Sequence, residues 1–588
     1  MNPNPDEFIR QLYQHKREHG FWLGVVHRVS NAVAVPLISI VAITAIGFVR
    51  WDAMLHCTVQ QNGTEGGTTA CGHLFDYITP LQQPLSTRQA TALLQVGLLV
   101  LWWLWCVTSL CIHVKSSRCM ARFYATTLQL ADEEVYAEPW DGIVTRVQHG
   151  VLAARVVPGH GFRLAARLLR QENYWTALYC RGSLDGWKLA GVDLSETAVL
   201  HRVLHTCLVV QVTSSEFVNH GVLPSATAIY HRALLCAVVM LLCLPALLPF
   251  LVVYCAFTYT EEFHSRRTVL GPRTFSFKAK WLFREYNEAP HVLERRLAHA
   301  TPHAERYLSY FTRPVVMIVA SKIVVVAGFI LGFVIAIAMY DEDVLLKVHL
   351  LDHNVLWYAG MLSIVLAAAR ASTPVPGSDV ACDAPAAFHS LYACTHYYVA
   401  SWNRRVHTST TCRDVARLFP YLGTQLLREL AALFLVPLYM LGWGSASRLS
   451  ALIDDIHTLT RQHDSVGYVC VYSTFEGVPD ACSYNDADDV IVDHHDTYRR
   501  QASAVSKMTR SMIHYRLTAM PDSEPADGAA DAFIDGILTT ADATYKAALA
   551  SANVHPSLQL HVGVTRADEP WFYWVQRCRG HDVGAVST

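Results

Sequence analysis

The sequence predicts an all-α polytopic membrane protein with four transmembrane helices and two membrane-inserted re-entrant helical hairpins, joined by cytosolic helices. Its 588 residues are 52% hydrophobic and only 16% charged, and the mean hydropathy is +0.22, which is too apolar for an ordinary soluble protein of this length. Long uncharged runs account for this composition, and two of them contain central prolines. The formal net charge of −2 argues against a strongly basic, nucleic-acid-binding chain.

The amino-terminal part predicts two membrane-spanning helices joined by a lumenal loop. Residues 1–31 are polar, contain no signal-peptide core, and predict a cytosolic amino terminus. The apolar runs at 32–49 and 93–114 predict transmembrane helices 1 and 2. Basic residues are frequent before the first of these runs and after the second, whereas the connection at 50–92 contains only two. The positive-inside rule therefore places that connection in the lumen.

The predicted lumenal loop contains two features of oxidised, glycosylated sequence. Asn62 begins an Asn-Gly-Thr sequon, so Asn62 is a candidate for N-glycosylation, and the alternative is an unmodified polar loop. Cys57 and Cys71 lie in the same loop and can pair in an oxidising lumen. The remaining cysteines are scattered without zinc-ribbon spacing, which favours reduced packing residues.

Residues 115–232 mix polar and apolar residues with helical periodicity and predict a cytosolic helical region. Within it, His201 and His205 lie one helical turn apart, a spacing that can bind zinc. The glutamate and third ligand of a zinc protease are missing, so packing histidines are favoured over a metal site. The DHHD cluster at 493–496 lies in polar sequence and is interpreted as solvated. No metal or other cofactor is predicted.

Residues 233–258 predict the first re-entrant hairpin. The run is long enough to cross a bilayer, but Pro245 and Pro249 lie at its midpoint, where proline removes helical hydrogen bonds and bends the chain. Basic sequence flanks the run on both sides, which favours entry and return from the cytosol over a kinked crossing.

The second half of the chain begins with a cytosolic region at 259–314 and continues into two further membrane spans. The apolar runs at 315–340 and 355–370 predict transmembrane helices 3 and 4, and the acidic connection at 341–354 is placed in the lumen. Lys322 lies within the first of these spans. Such a lysine either snorkels to the cytosolic interface or lines a polar conduit, and snorkelling is the favoured interpretation.

The carboxy-terminal part predicts a cytosolic helical region at 371–424, a second re-entrant hairpin at 425–443, a cytosolic core at 444–520 and a polar tail at 521–588. The apolar part of the second hairpin is too short to cross a bilayer and contains Pro437. An interfacial helix is the alternative for this segment. The tail is rich in alanine, glycine and serine and predicts loose order.

Several stretches resemble the autophagy-related protein nine family of multispanning membrane proteins. FREYNE, within WLFREYNEAPHVLERRL, is the most specific of them, and the similarity covers residues 8–520. The stretches are GFW at 20–22, RQENYWTAL at 170–178, TYTEEF at 258–263, LGPRTFS at 270–276, WLFREYNEAPHVLERRL at 281–297, MYDEDVL at 339–345 and DSVGYVCVYSTF at 464–475.

The resemblance implies a domain-interlocked homotrimer that acts as a passive phospholipid scramblase in autophagosome formation, with no covalent chemistry, nucleotide or metal. It implies small Golgi- or endosome-derived vesicles and the preautophagosomal structure or isolation membrane as the location, with both termini in the cytosol. It also implies a lipid-transfer partner of the autophagy-related protein two family, which delivers lipid to the cytosolic leaflet for redistribution.

A scramblase needs a hydrated groove with mixed charges, and the polar residues near the predicted membrane segments are candidates to line it. Animal relatives place a lysine, an arginine and a glutamate along the pore, whereas the matching positions here are His264, Ser265 and Arg266. In FREYNE, Arg284, Asn287 and Glu288 are interpreted as a structural, trimer-forming element rather than a lipid contact. The lipid-pathway candidates are Lys322, Glu261, Glu262, His264, Ser265, Arg266, Arg267 and Arg273.

Two functions of other classes are left open by the sequence. An ion channel or transporter would use broken helices at the bilayer midplane, and both proline-containing segments can be interpreted in that way. Against it, Lys322 stands nearly alone within the predicted spans, and neither half of the chain repeats the other. A structural scaffold would organise vesicles through trimerisation and its cytosolic helices.

Overall fold

The computed structural model shows a helical chain that divides into two units, Met1–Ala153 with Leu235–Glu261, and Ala154–Leu234 with Glu262–Thr588. The predicted sequon at Asn62, the Cys57 and Cys71 pair, the 493–496 cluster and the tail at 521–588 lie outside the described residues. The structure describes residues 5–50, 53, 77–78, 86–149, 161–265, 271–311, 314–340, 348–350, 353–371, 384–397, 399, 402, 405–442, 445–464, 466–474, 507 and 511.

Helices account for most of the described residues. In chain order they are α1 Pro5–Arg17, α2 Phe21–Phe48, α3 Thr87–Thr126, α4 Asp132–Ala137, α5 Trp140–His149, α6 Gly161–Leu168, α7 Arg170–Arg181, α8 Ala198–Cys207, α9 Ser215–His220, α10 Ala226–Ser265, α11 Phe277–Phe283, α12 Pro290–Ser309, α13 Pro314–Tyr340, α14 Val355–Ala371, α15 Ala384–Thr395, α16 Ser409–Leu418, α17 Leu422–Leu441 and α18 Ser445–Thr458. Short 3₁₀ helices lie at Leu194–Glu196, Val209–Thr213 and Val471–Ser473.

The β-strands in the described residues form three antiparallel two-stranded ribbons. Gly467 begins the last strand with φ 78, which allows the tight return between the two strands of that ribbon. The strands are β1 Lys188–Leu189 with β2 Val192–Asp193, β3 His349–Leu350 with β4 His353–Asn354, and β5 Thr460–His463 with β6 Gly467–Cys470.

In the first unit, α2 and α3 pack along each other as a helical pair. Gly47 of α2 lies so close to Ala92 of α3 that a Cβ atom at Gly47 would be 2.4 Å from the Ala92 Cβ. Small residues at such a contact allow membrane helices to approach closely. The predicted first span at 32–49 lies almost entirely within α2, which is one continuous helix that already begins at Phe21.

The predicted hairpin at 233–258 is wrong in this structure, since α10 runs as one helix of 40 residues through positions 245 and 249. The two prolines are four residues apart, so the hydrogen bonds they remove fall on one side of the helix. Two prolines at that spacing bend a helix, but the helix stays continuous because its other backbone hydrogen bonds remain. A reversal inside the apolar run would leave more backbone groups unpaired, which is costly where water is absent.

The second predicted hairpin, at 425–443, is likewise replaced by the single helix α17, which contains Pro437. Pro437 lies in the last two turns of this helix, so its missing hydrogen bond affects only the end of the element. A continuous helix is what the alternative interpretation, an interfacial helix, requires.

The two predicted spans of the second unit form helices at the expected places. Helix α13 covers the predicted span at 315–340, and α14 covers the span at 355–370; the two pack against each other. By length and composition, four described helices are long and apolar enough to cross a membrane, and one further apolar helix is shorter. The four are Thr87–Thr126, Ala226–Leu244, Ile318–Met339 and Leu422–Leu441, and the shorter one is Val355–Arg370.

The core of the second unit is an aromatic cluster between α11, α12, α15 and α16. Phe283, Tyr307, Phe388 and Phe419 are buried in it. The Tyr307 hydroxyl donates to the carbonyl oxygen of Val406 at 2.6 Å, which satisfies the polar group inside an apolar cluster. This core holds the FREYNE stretch and the amino-terminal end of α17 in place.

Candidate functional site

Lys322 is an exposed charge on an otherwise apolar helix. It lies eight residues after the first residue of α13, about 12 Å along the helix. Its neighbours Ile318 and Val325 are 61% and 67% exposed, and the structure shows no carboxylate within salt-bridge distance of Lys322 among the described residues. A long side chain at this depth reaches either the membrane interface or a hydrated groove.

Arg273 is half-buried at the amino-terminal end of α17. Its guanidinium carbon lies 3.9 Å from the centre of the Tyr421 ring, and its Nη1 donates to the carbonyl oxygen of Phe419 at 3.0 Å. The backbone N–H of Leu422 donates to the carbonyl oxygen of Pro272 at 2.8 Å. Arg273 therefore fixes where α17 begins, and the cation over the aromatic ring contributes to that contact.

The other lipid-pathway candidates follow the apolar part of α10. Glu261, Glu262, His264 and Ser265 belong to the last turns of that helix, and their side chains lie outside what the structure describes. Arg266 and Arg267 lie outside the described residues altogether. The lining role of all six residues stays a prediction.

Glu429 is a functional candidate that the sequence analysis missed. It lies in the middle of α17, and its two carboxylate oxygens accept from the backbone N–H groups of Ala198, at 2.7 Å, and Val199, at 3.3 Å. It thereby caps the first turn of α8, where a negative charge is favoured. Arg428 beside it pairs with Glu196. The sequence shows an acidic residue just before the apolar run at 431–443, but no pattern in it indicates the contact with α8.

The opposite face of α17 is apolar and uncovered within this chain. Leu427, Phe434, Leu438 and Leu441 are 64%, 39%, 52% and 41% exposed and recur at helical spacing. Helix α17 therefore docks on the protein through a face of mixed polarity and has one apolar face without a protein partner among the described residues. An apolar face left uncovered in this way is suited to contact with lipid.

The FREYNE stretch forms a buried polar network. Arg284, Glu285, Asn287 and Glu288 are all 5% exposed or less. Nη2 of Arg284 donates to the carbonyl oxygen of Glu288 at 3.0 Å, and the backbone N–H of Glu285 donates to a carboxylate oxygen of Glu288 at 2.9 Å. The stretch is thus closed on itself as a compact turn. Buried polar groups of this kind are stable only when each has a partner.

Glu288 forms a buried ion pair with Arg296 of α12. Nε and Nη2 of Arg296 donate to the two carboxylate oxygens at 2.9 and 2.8 Å, a bidentate arrangement. The remaining donors of Arg296 reach the carbonyl oxygens of Phe283, Cys394 and Thr395. Burial opposes the charged form of Arg296, but the Glu288 carboxylate outweighs it and raises the pKa of the guanidinium.

Asn287 joins three separate segments of the chain. Its side-chain oxygen accepts from Nδ2 of Asn173 at 2.8 Å, and its backbone N–H donates to Oδ1 of Asn173 at 2.9 Å. Its Nδ2 donates to the carbonyl oxygen of Ser473 at 2.8 Å. Its φ of 57 lies in the left-handed region, which asparagine tolerates better than most residues.

Two residues near the carboxy-terminal end of the predicted cytosolic core are docked on this network. Ser511 is fully buried; its hydroxyl donates to a carboxylate oxygen of Glu285 and accepts from the backbone N–H of Tyr286 at 3.1 Å. The buried Lys507 donates to the carbonyl oxygen of Leu282 at 2.7 Å. The sequence predicts that these residues belong to a core, but it does not indicate their contacts.

His201 and His205 are packing residues in the structure. The His201 ring lies 3.9 Å from Trp175 and 5.1 Å from Trp281 between ring centres, and Trp175 Nε1 donates to Nδ1 of His205 at 3.2 Å. No group of three or more possible metal ligands occurs in the described part of the chain. Burial, and to a smaller extent the neighbouring His205 and Arg202, lower the pKa of His201 to about 3.

We expect this histidine to make the protein less stable in acid. A folded-state pKa below the unfolded value of 6.5 means that His201 contributes its stability above pH 6.5 and loses it as pH falls from 6.5 toward 3. In His201→Phe, thermal unfolding of the purified protein should depend less on pH between 6.5 and 4. The matched control is His407→Phe, at an exposed position, which should keep the wild-type dependence. An unchanged dependence in His201→Phe would contradict the prediction.

The sequence is similar to those of one family of known proteins. A family model described as autophagy protein ATG9 matches residues 3–476. Autophagy-related protein 9 of Arabidopsis thaliana is 26% identical over 564 residues, which is 91% of this chain and 63% of that protein. The Candida glabrata protein of that name is 25% identical over 439 residues, which is 70% of this chain and 47% of that protein. The chain thus spans less than two thirds of the length of either relative.

One solved structure has a similar fold. The cryo-EM structure of Schizosaccharomyces pombe Atg9 matches with a TM-score of 0.56 and 20% sequence identity, over 81% of this chain and 100% of that chain. At this identity the likeness concerns the fold. Together with the match to the family model, it confirms the resemblance that the sequence motifs indicated.

Proposed function

We propose, from the premise that this chain belongs to the ATG9 family of autophagy proteins, that it is a passive phospholipid scramblase of autophagosome formation. It would equilibrate lipids between the leaflets of a vesicle or isolation membrane through a polar groove in a homotrimer. The proposal includes a lipid-transfer partner of the autophagy-related protein two family, which loads the cytosolic leaflet. It also includes Golgi- or endosome-derived vesicles as the carrier of the protein.

To move a phospholipid between leaflets, a scramblase must lower the free-energy cost of removing its headgroup from water. A phospholipid flips slowly because its charged headgroup would lose water in the hydrocarbon core, and burying such charges is expensive. A groove with fixed charges and water substitutes for that hydration while the acyl chains stay in the bilayer. The process then needs no nucleotide, metal or covalent step.

The observation that carries the proposal is Lys322, an exposed cation on the apolar helix α13. A cation at that position attracts the phosphate of a headgroup, and its lack of a close carboxylate partner among the described residues leaves it available. The two-faced helix α17 supports the proposal in a second way. Its apolar face supplies a surface for acyl chains close to where Arg273 and Glu429 anchor it to the protein.

We expect Lys322→Leu to slow lipid flipping by about fivefold, the loss that corresponds to one cation near a lipid phosphate. The measurement is dithionite quenching of fluorescent lipids in liposomes that contain the purified protein. Combination with Arg266→Leu should slow flipping further if both residues line the groove. Oligomers should remain intact by size-exclusion chromatography with light scattering.

Two matched controls separate charge from packing. Lys322→Arg keeps the cation and should flip lipids at nearly the wild-type rate. Val326→Leu changes an exposed apolar residue one turn away and should also be neutral. Wild-type rates in both Lys322→Leu and the double variant would mean that neither Lys322 nor Arg266 lines the lipid pathway. Ion flux without lipid flipping in the wild type would favour a channel or transporter, and neither activity would favour a scaffold.

A further inference from the structure

The end of α3 carries a stripe of basic side chains that the proposed lipid pathway does not use. Lys115, Arg118 and Arg122 are all exposed and recur at a spacing that places them on one face of the helix. The same side of α3 exposes apolar residues in the preceding turns, with Ile112 72% and Leu104 48% exposed. The apolar surface therefore changes to a basic one within a single turn.

These three cations differ from three other cations of the first unit. Arg28 pairs with Glu18, Arg146 lies 3.3 Å from Glu138, and Lys16 donates to the carbonyl oxygen of Val135 at 2.7 Å. The stripe, in contrast, has no carboxylate within salt-bridge distance among the described residues. The positive charges of these three side chains can therefore bind an anionic partner outside the chain.

Aromatic residues mark the same level of the helix pair. The guanidinium carbon of Arg118 lies 5.8 Å from the centre of the Phe21 ring, and Trp22, next in α2, is 68% exposed. Exposed tryptophan is typical of the boundary between hydrocarbon and headgroups. From Lys115 to Arg122 the helix rises about 10 Å, comparable to the depth of one headgroup layer.

We propose that Lys115, Arg118 and Arg122 form a binding surface for anionic phospholipid headgroups in the cytosolic leaflet. The cations neutralise the headgroup phosphates and carboxylates, and Trp22 and Ile112 contact the acyl chains at the interface. An acidic peptide is the competing partner, but it would leave the adjoining apolar surface uncovered. This surface concerns α3 and α2 alone and does not depend on whether the protein scrambles lipids.

The test is a titration of the purified full-length protein in detergent with phosphatidylserine or phosphatidylcholine, followed by native mass spectrometry. We expect the wild type to prefer phosphatidylserine and to lose that preference as salt is raised. The triple variant Lys115→Gln, Arg118→Gln, Arg122→Gln should weaken phosphatidylserine binding by about fivefold per cation, while phosphatidylcholine binding stays the same.

Two control variants keep the result interpretable. A charge-matched triple variant, Arg295→Gln, Arg306→Gln, Arg413→Gln, changes exposed residues of the second unit and should bind phosphatidylserine normally. Arg118→Lys with Arg122→Lys keeps the charge and should also bind normally, even if glutamine at these positions perturbs folding. Equal phosphatidylserine binding by the stripe variant and the control variant overturns the proposal. Tighter binding of a poly-glutamate peptide than of phosphatidylserine overturns it as well.

Discussion

Glu288→Ala is expected to lower the free energy of unfolding by roughly 3–5 kcal/mol, the cost of leaving a buried charge without its partner. Arg296 is buried among carbonyl oxygens, and Glu288 supplies the only carboxylate that the described residues place in a salt bridge with it. Removing that carboxylate leaves the guanidinium in the protein interior without a carboxylate in contact, and Glu285 acts on it only at longer range. Chemical denaturation of the purified protein in detergent measures the difference.

A double-mutant cycle tests whether the loss comes from the pair itself. Arg296→Met alone should also be strongly destabilising, because Glu288 then becomes the unpaired charge. Glu288→Ala combined with Arg296→Met should recover much of the stability, since two apolar residues leave no buried charge. Glu216→Ala, at an exposed position of α9, is the matched control and should change stability by less than about 0.5 kcal/mol. Additive losses in the double variant would show that the two side chains are not coupled.

The sequence predicted the long apolar helices best. Helix α13 has 27 residues in a nearly uninterrupted apolar run, and such a run has few alternatives to a helix where water is absent. Lys322 was correctly located within that helix, because position along a continuous helix follows from counting residues. The residues around its side chain depend on tertiary contacts, which the apolar pattern alone does not specify.

The hairpin predictions were wrong because too much weight was given to the preference of proline against helix interiors. Proline disfavours a helix interior, but in α10 the many remaining hydrogen bonds of a 40-residue helix outweigh the few that Pro245 and Pro249 remove. In α17 the carboxylate of Glu429 reaches the start of α8 and holds the helix on the protein. That contact joins residues far apart in the chain, and no periodicity or composition signal reports it.

The FREYNE stretch shows which structural features a sequence motif predicts and which it does not. Its charged residues in a cytosolic region were interpreted as structural, and the structure places Arg284, Asn287 and Glu288 in the protein interior. The partners Asn173, Ser473 and Ser511 come from distant parts of the sequence. A short motif identifies the residues that need partners, but the fold determines which residues supply them.

Asn287→Ala is expected to be the second strongly destabilising change, again by roughly 3–5 kcal/mol, because it removes two side-chain hydrogen bonds from a buried site and adds backbone strain. Nδ2 and Oδ1 of the Asn173 side chain both bind Asn287. In the alanine variant Nδ2 of Asn173 would lose its acceptor in the protein interior. Alanine is also disfavoured at the φ of 57 that Asn287 adopts. Denaturant unfolding measures the total cost.

Asn287→Gly separates the two causes, since glycine loses the same side-chain hydrogen bonds but adopts positive φ freely. We expect the glycine variant to be more stable than the alanine variant by about 1 kcal/mol, and both to be less stable than the wild type. Asn173→Ala should cost less in the Asn287→Gly background than in the wild type, because the partner is already gone. Equal stability of the alanine and glycine variants would mean that the left-handed backbone carries no strain, and that hydrogen bonds alone hold α7, the FREYNE turn and the 471–473 segment together.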